Sequence, residues 1–467
     1  MNLAQLLVGS ARRLPEQPAI AVGDRVLLSY GNLSYRVARL GAGLVSKFEL
    51  KPGERVALAM KNCPEYWEVL FACWHAGLTA VPINAKLHPK EFEYILGDSG
   101  AKLCFLTPGI ECSFANSVLT DSKDYENLKS EPQPPAESKP DDPAWLFYTS
   151  GTTGVPKGAA LTHRNLLFAS QAYFADIDKL GPGDAILHPA PLSHGSGLYG
   201  VPHFAAGAVN VIPESGGFDA AEIFDLMERW PNASFFAAPT MIVRLLASAA
   251  ARTPAGLKTI TYGGAPMYVS DALRAIELFG PRLYQLFGQG ESPMTITGLP
   301  QEFHKNKAKL ETCGFARTGV EVKIFDPDDR ELPPGETGEI VTRSDCVMAG
   351  YWNNPEATAK TLRGGWLHTG DVGSLDAAGF LTIRDRSKDL IISGGSNIYP
   401  REIEEVLLRH PGVAEVAVFG RAHAEWGEEA VACVVARGDA ARSAEAQHAL
   451  SAALDALCLG RIARYKR

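Results

Sequence analysis

The chain has 467 residues, of which 46% are hydrophobic and 21% charged, so it is long enough for several packed cores and at least two domains. Its formal net charge of -8 argues against nucleic-acid binding or a basic membrane-binding surface as the main function of the protein. Small-molecule ligands are expected instead. The eight cysteines are scattered without a C-x-x-C pair, and no window reaches the ~18 apolar residues of a membrane span, which predicts a cytoplasmic protein without a zinc or disulfide framework.

Helices and strands are predicted to alternate along the first quarter of the chain. The spacing of apolar residues predicts helices at 2–13, 37–48, 64–76 and 89–99 and strands at 55–60, 80–84 and 102–106. Alternation of this kind indicates an α/β fold with a parallel, doubly wound sheet. The polar, proline-rich stretch from 107 to 143 has little periodicity and is interpreted as a surface linker.

A loop rich in glycine and hydroxyl side chains follows the apolar run 145–147. Residues 148–158 read YTSGTTGVPKG and leave one predicted strand to return into another. Backbone N–H groups beside glycines, hydroxyl donors and a lysine charge all suit a phosphate, so we interpret the segment as a phosphate loop rather than an ordinary turn. It is not a Walker A loop, which would need Gly at 156 and Ser or Thr at 158.

Two histidine-bearing segments come next. Thr162 is placed to N-cap a helix over 165–173, whose positive end would then face the phosphates, and His163 is expected to orient or cap rather than act as a base. Ser193 and His194 adjoin in the segment PLSHGSG. A hydrolase site is disfavoured there, because the chain has no G-x-S-x-G elbow and adjacent residues rarely face one another.

The second half of the chain carries further strand and turn signals. Residues 235–240 are predicted to be a buried strand ending in a turn before a helix at 241–249, and a strand at 259–262 runs into Gly263-Gly264-Ala265. Small side chains there would let a flat ring lie against the backbone. From residue 310 short alternating runs predict an antiparallel barrel, in which Asp371 ends a strand, and a helix is expected at 401–408.

The loop 148–158 and the segments YQLFGQGE at 284–291 and WLHTGD at 366–371 resemble motifs of the adenylate-forming superfamily of acyl-CoA synthetases, luciferases and peptide-synthetase adenylation domains. The likeness extends along nearly the whole chain and is closest to acid:CoA ligases. It implies a ligase that uses ATP, Mg²⁺ and coenzyme A to convert a small carboxylic acid into an acyl-adenylate and then an acyl-CoA thioester. A homodimer is a further expectation. The alternatives are a ligase that loads a carrier protein and an adenylate-binding protein without turnover.

The resemblance also assigns roles to individual residues. It implies catalytic roles for Thr149, Lys157, His194 and Glu291, with His194 beside the acyl carboxylate and Glu291 as the Mg²⁺ ligand rather than a solvated acid at a helix start. The implied nucleotide contacts are Thr149, Ser150, Gly151, Thr152, Thr153, Gly154, Lys157, Gly263, Gly264, Ala265, Phe287, Gly288, Gln289, Gly290, Asp371 and Arg386.

Within this set, residues 263–265 and the ring of Phe287 are expected at adenine, and Asp371 and Arg386 at the ribose. A turn-forming role is the alternative for Asp371. Gly290 departs from the family pattern, which has Thr before the glutamate. The departure removes a hydroxyl expected near the α-phosphate, so another group must supply the contact or the pocket must be roomier.

The resemblance implies a domain plan. A large N-terminal AMP-binding domain is expected at 1–385, with two doubly wound αβ subdomains and a small β-barrel at about 310–383, followed by a hinge at 386–388 and a small, mobile α+β domain at 389–467. The family's catalytic lysine lies in a Gly-Lys segment near the C-terminus, and residues 463–466 resemble the stretch before it. The C-terminal domain is therefore expected to be incomplete and adenylation to be slow.

Overall fold

The first 162 residues form a six-stranded sheet and the edge of a second sheet. The structure is a computed structural model, and it describes residues 1–149, 156–265, 267–386, 391–393, 396–423, 427–438 and 443–462. The elements are α1 (Ala4–Arg13), β1 (Pro18–Val22), β2 (Arg25–Ser29), α2 (Tyr30–Phe48), β3 (Arg55–Met60), α3 (Pro64–His75), β4 (Thr79–Asn84), α4 (Pro89–Ser99), β5 (Leu103–Leu106), β6 (Ser117–Leu119), α5 (Lys123–Asn127), β7 (Pro143–Thr149) and β8 (Lys157–Thr162). The six-stranded sheet has the order β6-β5-β3-β4-β7-β8, parallel except between β7 and β8.

The next segment completes a nine-stranded sheet in the order β15-β14-β13-β12-β11-β9-β10-β1-β2, parallel from β13 to β1 and antiparallel at both ends. Its elements are α6 (His163–Asp176), β9 (Ala185–Leu187), α7 (Gly195–Ala206), β10 (Val209–Ile212), α8 (Ala220–Arg229), β11 (Ala233–Ala237), α9 (Pro239–Leu246), β12 (Leu257–Tyr262), α10 (Val269–Phe279), β13 (Leu283–Gln289), β14 (Ser292–Leu299) and β15 (Phe315–Ala316). Short 3₁₀ helices at Gln301–Lys305 and Lys307–Glu311 connect β14 to β15.

One apolar core joins the two sheets. Helix α3 is buried from Tyr66 to His75, and the ring of Trp67 lies 5.0 Å from that of Phe204 on α7. Side chains on every side of α3 are buried, so the helix is packed within the protein rather than on its surface. This arrangement confirms the α/β fold with helices packed on parallel sheets.

The stretch from 107 to 143 is not a plain surface linker, and that part of the prediction is wrong. It contributes β6 to the edge of the six-stranded sheet, and Tyr125 on α5 is fully buried. Lys129 is also buried, with its Nζ 3.3 Å from Oε1 of Glu68 on α3. The apolar residues that anchor the segment are too far apart to produce a recognisable period, which is why the sequence pattern missed them.

The predicted barrel is a four-stranded antiparallel sheet in the order β16-β17-β18-β19. Its strands are β16 (Glu321–Phe325), β17 (Gly338–Arg343), β18 (Leu367–Leu375) and β19 (Leu381–Arg386), with α11 (Pro355–Thr361) and a 3₁₀ turn at Arg363–Gly365 inserted before β18. Within the described residues the outer strands do not pair with each other, so the sheet is open rather than a closed barrel. Asp371 lies in the middle of β18, not at a strand end, and its backbone is opposite Arg386.

The C-terminal unit is a small α+β structure. Its elements are β20 (Ile391–Ser393), β21 (Ser396–Ile398), α12 (Pro400–Leu407), β22 (Val413–His423), β23 (Gly427–Ala436) and α13 (Ala444–Leu459). The strands form a sheet in the order β21-β20-β23-β22, and Ile403, Val406 and Leu454 are in its apolar core. The large N-terminal and small C-terminal parts are therefore both present, as predicted. Across the described stretches, no helix combines the length and apolar character that a bilayer crossing requires.

Candidate active site

The two ends of the predicted phosphate loop are held opposite each other. Thr149 ends β7 and Lys157 begins β8, and the two residues are partners in the antiparallel pairing of these strands. A side chain at Gly158 would place its Cβ 2.9 Å from Cζ of Tyr148, so glycine is needed for this close approach. Ser150, Gly151, Thr152, Thr153 and Gly154 lie outside the described residues, and their predicted roles stay predictions.

Helix α6 starts directly behind β8 with the predicted cap. The side chain of Thr162 accepts a hydrogen bond from the backbone N–H of Asn165, whose own Oδ1 accepts from the N–H of Thr162 at 2.8 Å. His163 is buried, and its Nδ1 accepts from the N–H of Leu3 at 3.2 Å. Burial lowers the pKa of His163 to about 4, so it is neutral at pH 7 and ties the N-terminal segment to α6.

Glu291 lies at the turn between β13 and β14 and joins the loop ends to this hairpin. Its Oε1 accepts from the hydroxyl of Tyr351 at 2.7 Å and from Oγ1 of Thr149 at 3.3 Å. Burial, followed by the charge of Glu291, raises the pKa of Tyr351, so the phenol stays protonated and donates. The Nζ of Lys157 lies 5.0 Å from the centre of the Tyr351 ring, within cation–π range. Glu291 is thus in a hairpin turn and not at a helix start.

Tyr351 was not identified from the sequence. It lies sixty positions from Glu291 along the chain, in the loop between β17 and α11. That loop is tied to α6, because the side-chain amide of Asn165 donates to the carbonyls of Asp345 and Val347 at 2.7 and 2.8 Å. An aromatic residue in a loop carries no periodic signal, so only the contact itself reveals it.

Gly290 has no room for a side chain. A Cβ at this position would lie 2.8 Å from Cδ1 of Phe147 and would collide with the methyl group of Thr149. The glycine therefore does not leave a roomier pocket, because Thr149 and Phe147 fill the space. The Thr149 hydroxyl, which bonds Glu291, is the hydroxyl available beside this position.

The predicted ribose residue Asp371 is buried and has a partner on the hairpin. The side-chain amide of Gln289 donates to Oδ2 of Asp371 at 2.6 Å and to the carbonyl of Thr369 at 2.8 Å. Gln289 and Glu291 therefore lie at opposite sides of one turn. Gln289 contacts Asp371 of the small sheet, and Glu291 contacts Thr149 at the end of β7. Arg386 lies opposite Asp371 in the strand pairing, but its side chain is outside the described part of the chain.

The predicted adenine residues lie at the ends of neighbouring strands. Gly263 follows β12, and a Cβ on it would meet the Leu286 side chain of β13 at 2.7 Å. Gly264 has a φ of +82° and open space where a side chain would be, and Ala265 beside it is exposed. Phe287 packs against the apolar core of the small sheet, while a Cβ on Gly288 would lie 2.5 Å from Cα of Met294.

His194 is beside strand β7, with its ring 5.3 Å from the ring of Phe147. Its Nδ1 is 2.9 Å from Oγ of Ser193, so the expectation that these adjacent residues would not face one another is wrong. The start of α7 directly after His194 turns the backbone enough to bring them together. Burial lowers the pKa of His194. No carboxylate among the described residues is hydrogen-bonded to His194, so a Ser-His-acid triad is not formed there.

Comparisons with known proteins identify the family. The sequence matches the AMP-binding enzyme family over residues 7–352 and the AMP-binding enzyme C-terminal domain over residues 402–467. A feruloyl-CoA synthase of Amycolatopsis sp is 36% identical over 436 residues, covering 92% of this chain and 87% of that protein. The medium/long-chain-fatty-acid–CoA ligase FadD8 of Mycobacterium tuberculosis is 31% identical, covering 97% of this chain and 83% of that ligase.

Solved structures agree with this assignment. The o-succinylbenzoate CoA synthetase MenE from Bacillus subtilis, in complex with the acyl-adenylate intermediate OSB-AMP, superposes with a TM-score of 0.87 at 30% identity, covering 99% of this chain and 92% of that chain. ATP-bound MatB from Rhodopseudomonas palustris gives a TM-score of 0.88 at 29% identity, covering 100% of this chain and 93% of that chain. The resemblance, the fold and the acid–thiol ligase class inferred from the sequence are all confirmed. The chain belongs to the AMP-binding enzyme family of adenylate-forming ligases.

Proposed function

We propose that this ligase activates a carboxylic acid with ATP and Mg²⁺ at the Thr149–Lys157–Glu291 cluster and then passes the acyl group to CoA. The observation that carries the proposal is the bonding of Glu291. Both of its hydrogen bonds go to Oε1, and within the described residues Oε2 accepts none. Among the described residues, one carboxylate oxygen is therefore held in place while the other has no protein donor, and we assign that second oxygen to a ligand.

The site fits a magnesium nucleotide better than a cation held by protein alone. No group of three or more His, Cys, Asp or Glu side chains among the described residues is arranged to hold a metal ion. Mg²⁺ is ordinarily bound through one or two carboxylates together with substrate phosphates, which is what a single glutamate beside a phosphate loop offers. When bound with ATP, Mg²⁺ supplies positive charge that offsets the charge on the phosphates.

The first step joins two anions. A carboxylate oxygen attacks the α-phosphorus, the new O–P bond forms, and the bond to pyrophosphate breaks with its electron pair leaving on the phosphate oxygen. Lys157, placed at the loop's return strand, stabilises the negative charge that develops on the phosphates. Asp371, held by Gln289, accepts hydrogen bonds from the ribose hydroxyls and keeps the nucleotide in line.

We assign His194 to the acid's carboxylate. It is neutral at pH 7 because burial lowers its pKa. In the tautomer in which Ser193 donates to Nδ1, the hydrogen is on Nε2, where it can be donated to a carboxylate oxygen. In the second step the CoA thiol gives its proton to solvent and its sulfur attacks the acyl carbon. The thioester forms, and AMP leaves with the electrons of the broken C–O bond.

The experiment is a panel of acids assayed with ATP and Mg²⁺, following pyrophosphate, AMP and thioester. The panel takes its members from the acids named for the relatives, which include ferulate, fatty acids, sulfoacetate and indoleacetate. We expect at least one acid to give pyrophosphate without CoA and thioester with it. Failure of every acid to release pyrophosphate, in a chain that binds ATP, would overturn the proposal in favour of nucleotide binding without turnover.

A second acceptor is supported by one relative. The fatty acid–[acyl-carrier-protein] ligase ScoC of Streptomyces coeruleorubidus is 35% identical and covers 93% of this chain. The same panel run with an acyl carrier protein in place of CoA separates the two acceptors. Faster acyl transfer to the carrier than to CoA at matched concentrations would replace CoA by a carrier protein in the proposal.

We also propose the domain plan of a large unit at 1–385, a hinge at 386–388 and a small unit at 389–467. The first family match ends at residue 352 and the second begins at residue 402, which is compatible with a boundary between them. A homodimer in the cytoplasm remains part of the proposal, and sedimentation of the purified chain would measure its mass.

A further inference from the structure

Met294 has an unusual backbone close to the proposed Mg²⁺ ligand. It lies on β14 three residues after Glu291 and has a φ of 55°, in the left-handed region that non-glycine residues rarely adopt. The register of the β13–β14 pairing shifts at this level, because Phe287 pairs with Thr297 but Gln289 pairs with Ser292. The extra residues on β14 form a bulge, and bulges re-aim the residues beside them.

The bulge is packed against glycines of two predicted site segments. A Cβ on Gly288 would lie 3.0 Å from the Met294 carbonyl carbon, and a Cβ on Gly195, next to His194, would lie 2.8 Å from the Met294 sulfur. Any shift of Met294 would therefore be transmitted to the turn that holds Gln289 and Glu291. A left-handed backbone is strained for a residue that has a side chain, so something must hold Met294 in place.

Arg317 holds this bulge. Its Nη1 donates to the Met294 carbonyl at 3.0 Å, its Nη2 to the Ala172 carbonyl at 2.6 Å, and its Nε to Oδ2 of Asp176 at 3.0 Å. Only 1% of the Arg317 side chain is exposed. A buried guanidinium with three directed hydrogen bonds fixes the relative positions of its acceptors, which a lysine ammonium cannot reproduce.

The three acceptors belong to two different parts of the site. Ala172 and Asp176 are on α6, which begins at His163 immediately after the phosphate-loop strand β8. Met294 belongs to the hairpin that carries Phe287, Gln289 and Glu291. Arg317 thus connects α6, which follows the phosphate-loop strand β8, to the β13–β14 hairpin. None of the sequence motifs includes it.

We propose that Arg317 is a positioning residue for adenylate formation, which acts by holding the Met294 bulge so that Glu291 stays at Thr149 and Gln289 stays at Asp371. The proposal rests on the proposed role of Glu291. Without the Arg317 hydrogen bond, Met294 relaxes towards ordinary strand geometry and the turn moves with it. A small displacement of a group that must orient reacting phosphates lowers the rate of the chemical step far more than it lowers stability.

The test uses Arg317→Met, Arg317→Lys and the double variant Arg317→Met/Met294→Gly, each assayed for pyrophosphate release with an acid that the wild type accepts. We expect kcat to fall about tenfold or more in both single variants, because misplacement of orienting groups has effects of this order. The Mg²⁺ concentration for half-maximal rate should rise in both. Arg252→Met, which removes an exposed arginine paired with Asp225, should leave both quantities at the wild-type level.

The double variant separates positioning from stability. Glycine adopts a positive φ without strain, so Met294→Gly should let the bulge form without Arg317. The kcat of the double variant should therefore be at least threefold higher than that of Arg317→Met. The same change removes a buried side chain and should lower the melting temperature further. A purely structural Arg317 predicts that kcat and melting temperature fall together, and that result would overturn the proposal.

If Arg317→Met does not fold, Arg317→Lys and Arg317→Lys/Met294→Gly take its place, because lysine keeps the charge beside Asp176. An unchanged Mg²⁺ dependence in Arg317→Lys, together with no rescue by glycine, would also count against the proposal. Failure of the wild type to release pyrophosphate with any acid is a different result, which refutes the proposed function and, with it, the role of Arg317 in adenylate formation.

Discussion

The β13–β14 hairpin and helix α12 of the C-terminal unit are held against the rest of the protein in different ways. Glu291, Gln289 and Met294 of the hairpin region bond partners on four separate segments, through the buried or half-buried groups of Thr149, Tyr351, Asp371 and Arg317. On α12, Oε2 of Glu404 accepts from the hydroxyl of Tyr268 at 3.2 Å, while its Oε1 accepts from the N–H of Val418 within its own unit.

The surroundings of α12 include like charges. Burial raises the pKa of Glu405, and although Arg401 and Arg409 lower it, the charges of Glu311 and Asp271 on the large unit raise it. Such a contact is weaker than the network around Glu291 and easier to exchange for another. We therefore expect the hairpin to keep its position during a reaction cycle and the Tyr268–Glu404 contact to be broken more easily.

The largest effect is expected when the charge at the centre of the hairpin is removed. Glu291→Gln keeps an oxygen that can accept from Tyr351 and Thr149 but loses the carboxylate proposed for Mg²⁺. Pyrophosphate release should fall by about 10² or more, because preorganised electrostatic groups have effects of this size. The melting temperature should change little. Tyr351→Phe, which keeps the charge of Glu291, is the matched control and should cost much less activity.

Lys157→Ala tests the other side of the same cluster. A charge-assisted contact to phosphate is worth about 1.5–3 kcal/mol, so ATP turnover should fall by roughly 10- to 100-fold. AMP, which lacks the outer phosphates, should bind with nearly unchanged affinity. Titrations of the variant with ATP and with AMP measure the two effects. An equal loss for both nucleotides would place Lys157 away from the β- and γ-phosphates.

Acid should act on the large unit through its buried histidines. Burial lowers the pKa of His203 to about 3, well below the ~6.5 of an unfolded chain. The unfolded state therefore binds the proton first as pH falls, so stability is unaffected above pH 6.5 and is lost progressively below it. His203→Gln removes this proton uptake, and the stability difference between wild type and variant should shrink by about 2 kcal/mol from pH 7 to pH 5.

Denaturant unfolding of both proteins at the two pH values measures that difference. His448→Gln, at an exposed position on α13, is the matched control and should follow the wild type at both pH values. If the stability of His203→Gln fell in parallel with that of the wild type, His203 would have the same proton affinity in the folded and unfolded states. The acid sensitivity assigned to it would then be wrong.

Asp371→Ala should weaken ATP and AMP alike, by about tenfold each, because a carboxylate at the ribose does not sense the number of phosphates. Gln289→Ala should act in the same direction with a smaller effect, since it only removes the donor that holds Asp371. Calorimetric titration with both nucleotides is the measurement. Preserved binding in a folded Asp371→Ala variant would leave Asp371 as a strand residue without a ribose role.

The sequence predicted the parts of this fold that depend on local patterns. The strand Arg55–Met60 and the helix Pro89–Ser99 have the predicted bounds, and Thr162 caps α6 as its position suggested. These features follow from apolar periodicity and from capping chemistry within a few residues.

The parts that were missed depend on contacts between distant segments. Tyr351 and Arg317 act on residues 60 and 23 positions away, and no spacing rule connects them. The bulge at Met294 places a residue other than glycine in the left-handed region, which runs against the usual turn preference. Gly290 was recognised as a departure from the family, but its reason, the closeness of Thr149 and Phe147, needed the packing.

The smallest effect is expected at the contact between the two units. Tyr268→Phe removes one hydroxyl donor to Glu404 and keeps the aromatic ring, so it should weaken the docking of α12 by about 0.5–1.5 kcal/mol. Because the C-terminal unit keeps its own core, this loss should appear as opening between the units rather than as unfolding. The backbone amides of α12 that face the large unit should therefore exchange hydrogen about two- to tenfold faster, because the exchange rate rises in proportion to the opening equilibrium constant.

The control for this variant is Tyr35→Phe, which also removes one phenolic hydroxyl but at an exposed position on α2. It should leave exchange in α12 unchanged. Exchange in β13 and β14 should be the same in all three proteins, because the hairpin is held by Tyr351, Thr149 and Arg317 and not by the C-terminal unit. Faster exchange in the hairpin of Tyr268→Phe would mean that the small unit helps to hold the hairpin, and the contrast between the hairpin and the Tyr268–Glu404 contact would fail.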